Sequence, residues 1–495
     1  MTASQPVIAP TAALATCLAA LRARFTSSQL LVAEEDTRPY ECDGLTLHRQ
    51  LPRAVVLPAN EAEVAAALSI CAEHGVPVVP RGAGTGLSGG ATPHTEGVVL
   101  SLARLNALVG IDPVACTATV QPGVRNLSIS EAAAPYGLYY APDPSSQVAC
   151  TIGGNVAENS GGVHCLKYGL TLHNVLRVRA LTMEGEVVEF GGLAPDAPGL
   201  DLLALVIGSE GMLAVITEVT VRLVPVPQLA RCLMASFATV TAAGDAVAAL
   251  IAAGLIPAGL EMIDQAGIRL VEPFAHAGYD MNAAAVLLCE ADGTATEVAE
   301  DIERMSVVLR AAGATRVQVS SSEQERLRFW AGRKNAFPAA GRAAPAYYCM
   351  DGTIPRKHLG AMLTAIQGME QEFGLSCPNV FHAGDGNLHP LILFDDGDPD
   401  SVQRAEAFGA AILEASVRFG GTITGEHGVG LEKLDAMCAQ FGMAELGVFH
   451  AVKHAFDPTG LLNPGKAVPQ LHRCAELGGM RVRAGQLPFA DLPRF

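Results

Sequence analysis

Apolar positions along this chain recur with two different periods. Ala54-Val55-Val56-Leu57 is a short continuous apolar run, read as a buried strand, followed by Pro58 and the helix-capping residue Asn60. Helical spacing then holds from Glu61 to His74, Gly75 ends the helix, and Val76-Pro77-Val78-Val79 predicts the next strand. This strand–helix–strand unit runs directly into a glycine-rich loop from Arg81 to Gly90. Further strands are predicted at Val98–Ser101, Ala118–Val120, Val175–Leu181 and Leu213–Leu223, after which Val224-Pro225-Val226-Pro227 reads as a domain boundary.

Beyond that boundary, apolar strands (Ala230–Phe237, Ala284–Cys289) alternate with helical stretches (Thr239–Ala253, Thr294–Ala312), and two more strand–helix pairs follow from Tyr347. The pattern predicts helices packed on an antiparallel sheet, an α+β unit. From Gly430 the chain reads as helical to about Phe456 and ends in Leu462-Asn463-Pro464-Gly465-Lys466. The expected organisation is an N-terminal segment 1–50, domains 51–228 and 229–425, a returning segment 426–470 and a tail 471–495.

Half of the 495 residues are hydrophobic and 17% are charged, which allows a large core and excludes disorder. Asp and Glu number 50 against 33 Lys and Arg, a net charge of −17, so nucleic acid is not the expected partner. No apolar run is long enough to span a bilayer. The 12 cysteines are scattered without a Cys-x-x-Cys, which predicts a reduced cytosolic protein and leaves no iron–sulfur ligand set within the chain.

Gly84-Thr85-Gly86-Leu87-Ser88-Gly89 satisfies the dinucleotide pattern G-x-G-x-x-G, but Pro93, Gly97 and the strand Val98–Leu100 leave little room for the helix that pattern requires. The better reading is a nest of backbone N–H groups around phosphates, where glycine permits positive φ and close approach. A second such run spans Thr151 to Gly162, preceded by Pro142-Asp143-Pro144-Ser145-Ser146, and a third is Gly208-Ser209-Glu210-Gly211. Three such segments predict one large ligand lying across several loops, a flat phosphate-bearing cofactor such as FAD.

His382-Ala383-Gly384-Asp385-Gly386-Asn387-Leu388-His389 predicts a two-residue hairpin turn at Asp385-Gly386. His382 would then stand opposite His389, about 4.5–5.5 Å apart at Cβ, close enough to share a metal ion; a register slip of one residue would leave two unrelated polar histidines. Glu426-His427, in a glycine-rich turn, adds a carboxylate and an imidazole. Two His and a carboxylate on one divalent ion leave positions open for substrate. Arg333 could hold a carboxylate bidentately, or be an ordinary arginine on a helix surface.

The Arg81–Gly90, Pro142–Ser146, Thr151–Gly162 and Asn463–Lys466 motifs resemble the FAD-linked oxidases with a vanillyl-alcohol-oxidase/PCMH-type flavin domain. The stretches Phe329–Pro338 and Tyr347–Pro355, and the tail from Leu471, look most like the catalytic D subunits of glycolate oxidases within that family. The resemblance implies an α+β architecture: a PCMH-type FAD-binding domain of two α/β subdomains, an antiparallel-sheet cap domain for substrate and a C-terminal helical return. It implies FAD against Pro80, Arg81, Gly82, Gly84, Thr85, Gly86, Leu87, Ser88, Gly89 and Gly90. It extends the contacts to Pro142, Asp143, Ser145, Ser146, Thr151, Gly153, Gly154, Asn155, Asn159, Gly161 and Gly162. Glu210, Gly211, Val215, Ile216 and Asn463 complete the set. Arg81 to Gly90 lacks the histidine that covalently flavinylated relatives carry, which implies noncovalent FAD.

By the same resemblance His382, His389 and Glu426 match ligands of a divalent metal (Zn, Mn or Fe), His427 the base, and Arg333 the residue gripping the substrate carboxylate. The implied reaction is FAD-dependent oxidation of a small 2-hydroxy acid, glycolate to glyoxylate, with D-lactate dehydrogenation as the alternative and a non-catalytic flavin-binding assembly subunit as the contrasting class. Cys349 stands where relatives acting on hydroxydiacids have a lysine nearby, which argues against a dicarboxylate. The implied partners are an iron–sulfur subunit, a second FAD-binding subunit and the quinone pool, with a cytoplasmic location, peripheral at the membrane's inner face.

Overall fold

The helix Glu61–Glu73 starts where the sequence places it, because the Asn60 side chain accepts the N–H of Glu63 at 3.0 Å. In this computed structural model, which describes residues 11–194 and 199–469, the helix lays Val64, Ala67, Leu68 and Cys71 onto a sheet. The tail expected at 471–495 lies outside the described residues. The sheet is ordered Leu30–Leu31, Val55–Val56, Val98–Ser101, Val78–Arg81, with the last three strands parallel. Its last strand starts at Val78, not Val76. The Val76 N–H is still used to close the helix, donating to Cys71 O at 2.9 Å, and Pro77 has no N–H to offer.

A second sheet is antiparallel throughout, ordered Leu108–Asp112, Thr117–Val120, Val215–Arg222, Val175–Leu181, Val187–Gly191. The helices Asn126–Ala133 and Ile152–Glu158 share its core through Ile129, Ala133, Ile152 and Val156. The second of these corrects the sequence reading, which took Thr151–Gly162 as a loop. Packing overrides the poor helix propensity of Gly153-Gly154: a Cβ on Gly153 would meet Pro122 Cβ at 2.5 Å.

The third sheet, also antiparallel, is ordered Arg316–Val319, Leu229–Phe237, Ala285–Gly293, Gly259–Asp264, Val380–Phe381. Its strands are covered on both faces. Leu233, Ala235, Leu287 and Cys289 join a core with the helices Val240–Ala252, Ala295–Ala311 and Leu359–Phe373, while Cys232, Met234, Val286 and Leu288 meet Ile268, Phe329 and Trp330 on the other side. Double coverage explains why these strands read as continuous apolar runs instead of alternating ones.

After the helices Leu434–Gln440 and Met443–Phe456 the chain returns to the first sheet. Leu462 bridges Val78 in parallel, with Val78 N–H donating to Leu461 O (2.8 Å) and Asn463 N–H to Val78 O (2.7 Å). The last described residues thus lie beside the strand that feeds the glycine loop.

Candidate active site

A cavity of about 450 Å³ opens where the glycine loop, the helix Ile152–Glu158 and the turn at Glu426-His427 meet. From the expected set it is bordered by Pro80, Arg81, Gly82, Gly84, Thr85, Gly86, Leu87 and Gly90, by Ser145, Ser146, Thr151, Gly153, Gly154 and Asn155, and by Glu210, Gly211, Val215 and Ile216. No helix follows the loop, and Gly84 turns it with φ +73. Among the described residues the N–H groups of Gly84, Thr85, Gly86 and Leu87 find no acceptor. A Cβ on Gly86 would come no closer than 3.6 Å to protein, and one on Gly154 no closer than 3.8 Å, so bare backbone faces the cavity at both. Unpaired donors beside accessible backbone form a cradle that suits a phosphate-bearing cofactor.

The other eight candidates do not border the cavity, and several have evident jobs behind it. Asp143 Oδ2 lies 2.7 Å from His164 Nδ1, and Pro142 O accepts from Asn126 Nδ2 at 3.1 Å. Asn159, at φ +52, ends its helix and accepts the Leu172 N–H at 2.9 Å. Asn463 donates to Gly90 O (3.2 Å) and Glu210 O (2.7 Å), tying the returning segment to two of the loops. Ser88 O accepts from Leu431 N at 2.9 Å, and Gly89 packs against Leu431. Gly161 leaves space for Glu426, and Gly162 for the Asp143 backbone.

The hairpin expected at Asp385-Gly386 is not formed. His382 bridges Asn387, not His389, and Gly386 N–H donates to His382 O at 3.1 Å, so four residues make the turn. A two-residue Asp-Gly turn of type I′ needs positive φ at both positions, and only Gly386 (φ +77) has it. The two imidazoles meet nevertheless, ring centroids 4.9 Å apart. Glu426 Oε1 lies 3.2 Å from His382 Nε2 and 3.1 Å from His389 Nε2. His389 Nδ1 is buried without a hydrogen-bond partner, and Nε2 has only the carboxylates of Glu426 (3.1 Å) and Asp351 (3.7 Å) beside it, a polar pocket with room for an ion.

Two residues to which the sequence reading gave no role, Glu261 outside any motif and Asp351 within the Tyr347–Pro355 stretch, hold this cluster in place. Glu261, on the central strand Gly259–Asp264, has Oε1 at 2.7 Å from His382 Nδ1 and accepts the Arg333 Nε–H through Oε2. Asp351 organises the turn, accepting from Gly425 N (3.0 Å), His427 N (2.9 Å) and Lys433 Nζ (3.0 Å). Burial alone would raise Asp351, but His427, Lys433 and His389 hold it well below the usual carboxylate range. Asp351, His389 and His427 also lie within ligating reach of one another, yet the Asp351 oxygens are already committed, so His382, His389 and Glu426 are the group with capacity to spare.

Arg333 is no surface residue: it is 2% exposed and paired with Glu261, with Nη2 left unpartnered. His427 borders the cavity and stacks on His389, centroids 5.0 Å apart. Burial pushes its imidazole down to about 4, only partly offset by Asp351, so it is neutral near pH 7. Its Nδ1 is buried and unpartnered, leaving Nε2, 3.9 Å from Glu426 Oε1, as the nitrogen that can reach the cavity.

Two family profiles together span most of the chain: one described as FAD binding domain matches residues 52–191, and one described as FAD linked oxidases, C-terminal domain, matches 226–467. The chain is an FAD-linked oxidase. This oxidase is 58% identical to the glycolate oxidase subunit GlcD of Escherichia coli K12 over 97% of its own length and 96% of that protein. It is 32% identical to a D-lactate dehydrogenase of Anaerostipes hadrus, covering 88% of this chain and 94% of the other. Its fold is that of p-cresol methylhydroxylase solved with substrate bound, at a TM-score of 0.79 and 18% identity over 94% and 98% of the two chains. The α+β architecture and flavoprotein oxidoreductase class expected from the sequence hold for this FAD-linked oxidase.

Proposed function

We infer that this FAD-linked oxidase converts a small 2-hydroxy acid, glycolate before others, to its 2-oxo acid. One observation carries the reading: His389, Glu426 and His427 wall the same cavity as the unpaired N–H groups of the glycine loop. Bound along those loops, FAD supplies the acceptor for the hydride that leaves the substrate α-carbon. A divalent ion (Zn, Mn or Fe) on His382, His389 and Glu426 would supply a Lewis acid for the substrate hydroxyl.

The chain's own groups do the rest. Neutral His427 takes the hydroxyl proton at Nε2. Arg333, fixed by Glu261 through Nε, offers its remaining guanidinium edge to the substrate carboxylate, which its unpartnered Nη2 supports. Asp351 keeps His427 aimed by fixing its backbone N–H.

Likeness to a glycolate oxidase subunit supports a place in a multi-subunit oxidase; with no iron–sulfur ligand set in this chain, we propose an iron–sulfur subunit and a second FAD-binding subunit that carry electrons toward the quinone pool. No helix among the described residues is long and apolar enough to cross a membrane. The location we propose, cytoplasmic and peripheral at the membrane's inner face, rests on electron delivery to the quinone pool. D-Lactate is the second substrate to try, since the lactate dehydrogenase likeness favours it and one methyl group separates the two.

Anaerobic mixing of the purified yellow protein with glycolate or D-lactate, with and without a chelator, tests the reading through the flavin absorbance. Glycolate should bleach the flavin, faster than D-lactate does, and the chelator should slow it. His427→Ala should keep FAD and lose at least about 10²-fold in bleaching rate; a variant that bleaches at the wild-type rate refutes the assignment of the base.

A further inference from the structure

A protein of net charge −17 must admit an anionic substrate. Four carboxyl groups, Asp43, Glu158, Glu210 and Glu426, border the cavity. Burial raises the carboxyls of Asp43, Glu158 and Glu210, which takes charge off the wall itself, so the repulsion an anion meets comes mainly from the overall negative charge of the protein. Only two cationic side chains border the same space among the described residues, Arg81 and Lys334. Arg81 is buried and anchored by Nη1 to Cys42 O at 2.8 Å. Lys334 is different. It ends the helix Glu323–Lys334, is exposed to solvent, forms no ion pair among the described residues, and still borders the cavity. A side chain that both faces solvent and lines a cavity stands at its opening.

Its neighbour Arg333 has the opposite properties, being buried and bound to Glu261. Adjacent cations on one helix end are thus divided between an inner and an outer station. Phe337 and Tyr347, with ring centroids 5.7 Å apart, line the cavity beside Lys334 and present apolar surface there, which strengthens the field of a nearby charge.

We propose that Lys334 is the steering residue of this cavity: its ammonium at the opening draws a small monocarboxylate anion past an acidic surface toward His389, Glu426 and His427. The inference rests on the 2-hydroxy-acid reading above. A group that acts during approach changes the rate of capture, and its effect is removed by salt. It leaves the rate of the bound complex alone.

The test uses the FAD-loaded full chain and its Lys334→Arg, Lys334→Gln and Lys334→Glu variants, mixed anaerobically with glycolate at low ionic strength (about 0.02 M) and high (about 0.5 M), where the screening length falls from roughly 20 Å to about 4 Å. At low salt Lys334→Gln should lose about three- to tenfold in the second-order rate of flavin bleaching, and Lys334→Glu more. Lys334→Arg should match the wild type, and the saturated rate should be the same in all four. High salt should bring the wild type down to the Lys334→Gln value. Equal second-order rates at low salt, or a loss in Lys334→Gln that salt does not touch, overturn the proposal. A parallel titration with acetate, which lacks the hydroxyl, reads capture from the flavin spectrum alone. Weaker acetate binding in Lys334→Gln at low salt, in a protein that glycolate fails to bleach, would leave the steering standing and sink the 2-hydroxy-acid reading. Equal acetate affinity in wild type and variant would sink the steering itself.

Discussion

Glu261 Oε1 lies 2.7 Å from Nδ1 of His382, deep beneath the cavity and fully shielded from solvent. The same carboxylate holds Arg333 through its other oxygen, so a single residue sets the orientation of one candidate metal ligand and of the candidate substrate clamp. Burial alone would depress His382, but Glu261 and Glu426 push it up to about 10, and Glu261 itself sits below the usual carboxylate range. The His382 ring is therefore protonated as it stands; an ion at Nε2 would displace that proton, and the carboxylate behind Nδ1 would then fix the tautomer and sharpen the ligand.

Glu261→Gln should therefore weaken metal retention by about 10–100-fold. Metal content after dialysis, measured by atomic emission, checks this, with the flavin spectrum as the control for folding. Full metal occupancy in the variant would show that Glu261 does not support the site.

Gly154→Ala separates cofactor binding from folding. Gly154 lies in the helix Ile152–Glu158, where alanine is intrinsically better by about 1 kcal/mol, and a Cβ there meets only Thr151 Oγ1 at 3.8 Å. The apoprotein should keep or gain thermal stability, while the added methyl projects into the cofactor's space and FAD affinity falls by tenfold or more. A yellow variant with unchanged affinity would mean that the cofactor does not pass over this turn of helix.

Asp264 gives a pH signature away from the site. Its carboxylate accepts from Gly267 N (2.7 Å), Asn379 N (3.1 Å) and Asn379 Nδ2 (2.8 Å), yet burial dominates and pushes it up to about 6. Because the folded value is raised, the native state binds the proton more tightly than the unfolded chain does. Its contribution to stability is full below about pH 4 and is lost as pH rises through about 6, a change of roughly 2–3 kcal/mol. Asp264→Asn keeps the acceptor at Oδ1 but sets a second donor against Asn379 Nδ2. It should be less stable at pH 4 by about 1–2 kcal/mol, with the gap to wild type narrowing as pH rises toward 6.5 in denaturant titrations. A constant gap across that range would place the Asp264 carboxyl at its ordinary value.

Capping and periodicity make most of the architecture legible in the sequence. Asn60 and Thr294 begin helices where their side chains can accept N–H groups, and the apolar runs at Val98, Val175, Leu229 and Ala285 are strands because β-branched and aliphatic residues fill a pleated, buried surface. The strand Gly259–Asp264 escaped notice since its Glu261 and Asp264 look like surface residues, and only the groups packed around them show that both are buried. Ile152–Glu158 escaped for the opposite reason: its glycines argue against a helix until Pro122 is seen to press on Gly153.

By itself, the sequence determined most of the strands, helices and glycine loops, though not the strand Gly259–Asp264 or the helix Ile152–Glu158, and it named His382, His389, Glu426, His427 and Arg333 as the residues to watch. The elements follow from local spacing, the two histidines and the Glu426-His427 pair from side-chain chemistry in glycine-rich turns, and Arg333 from the resemblance to the FAD-linked oxidases. Tertiary structure decided which of them meet. His382 and His389 come together although the hairpin that would have paired them does not form, and Arg333 turns inward because Glu261 is there to receive it. Burial of a charge is settled by the whole surrounding core, and residues distant in the chain supply the partner that makes it tolerable.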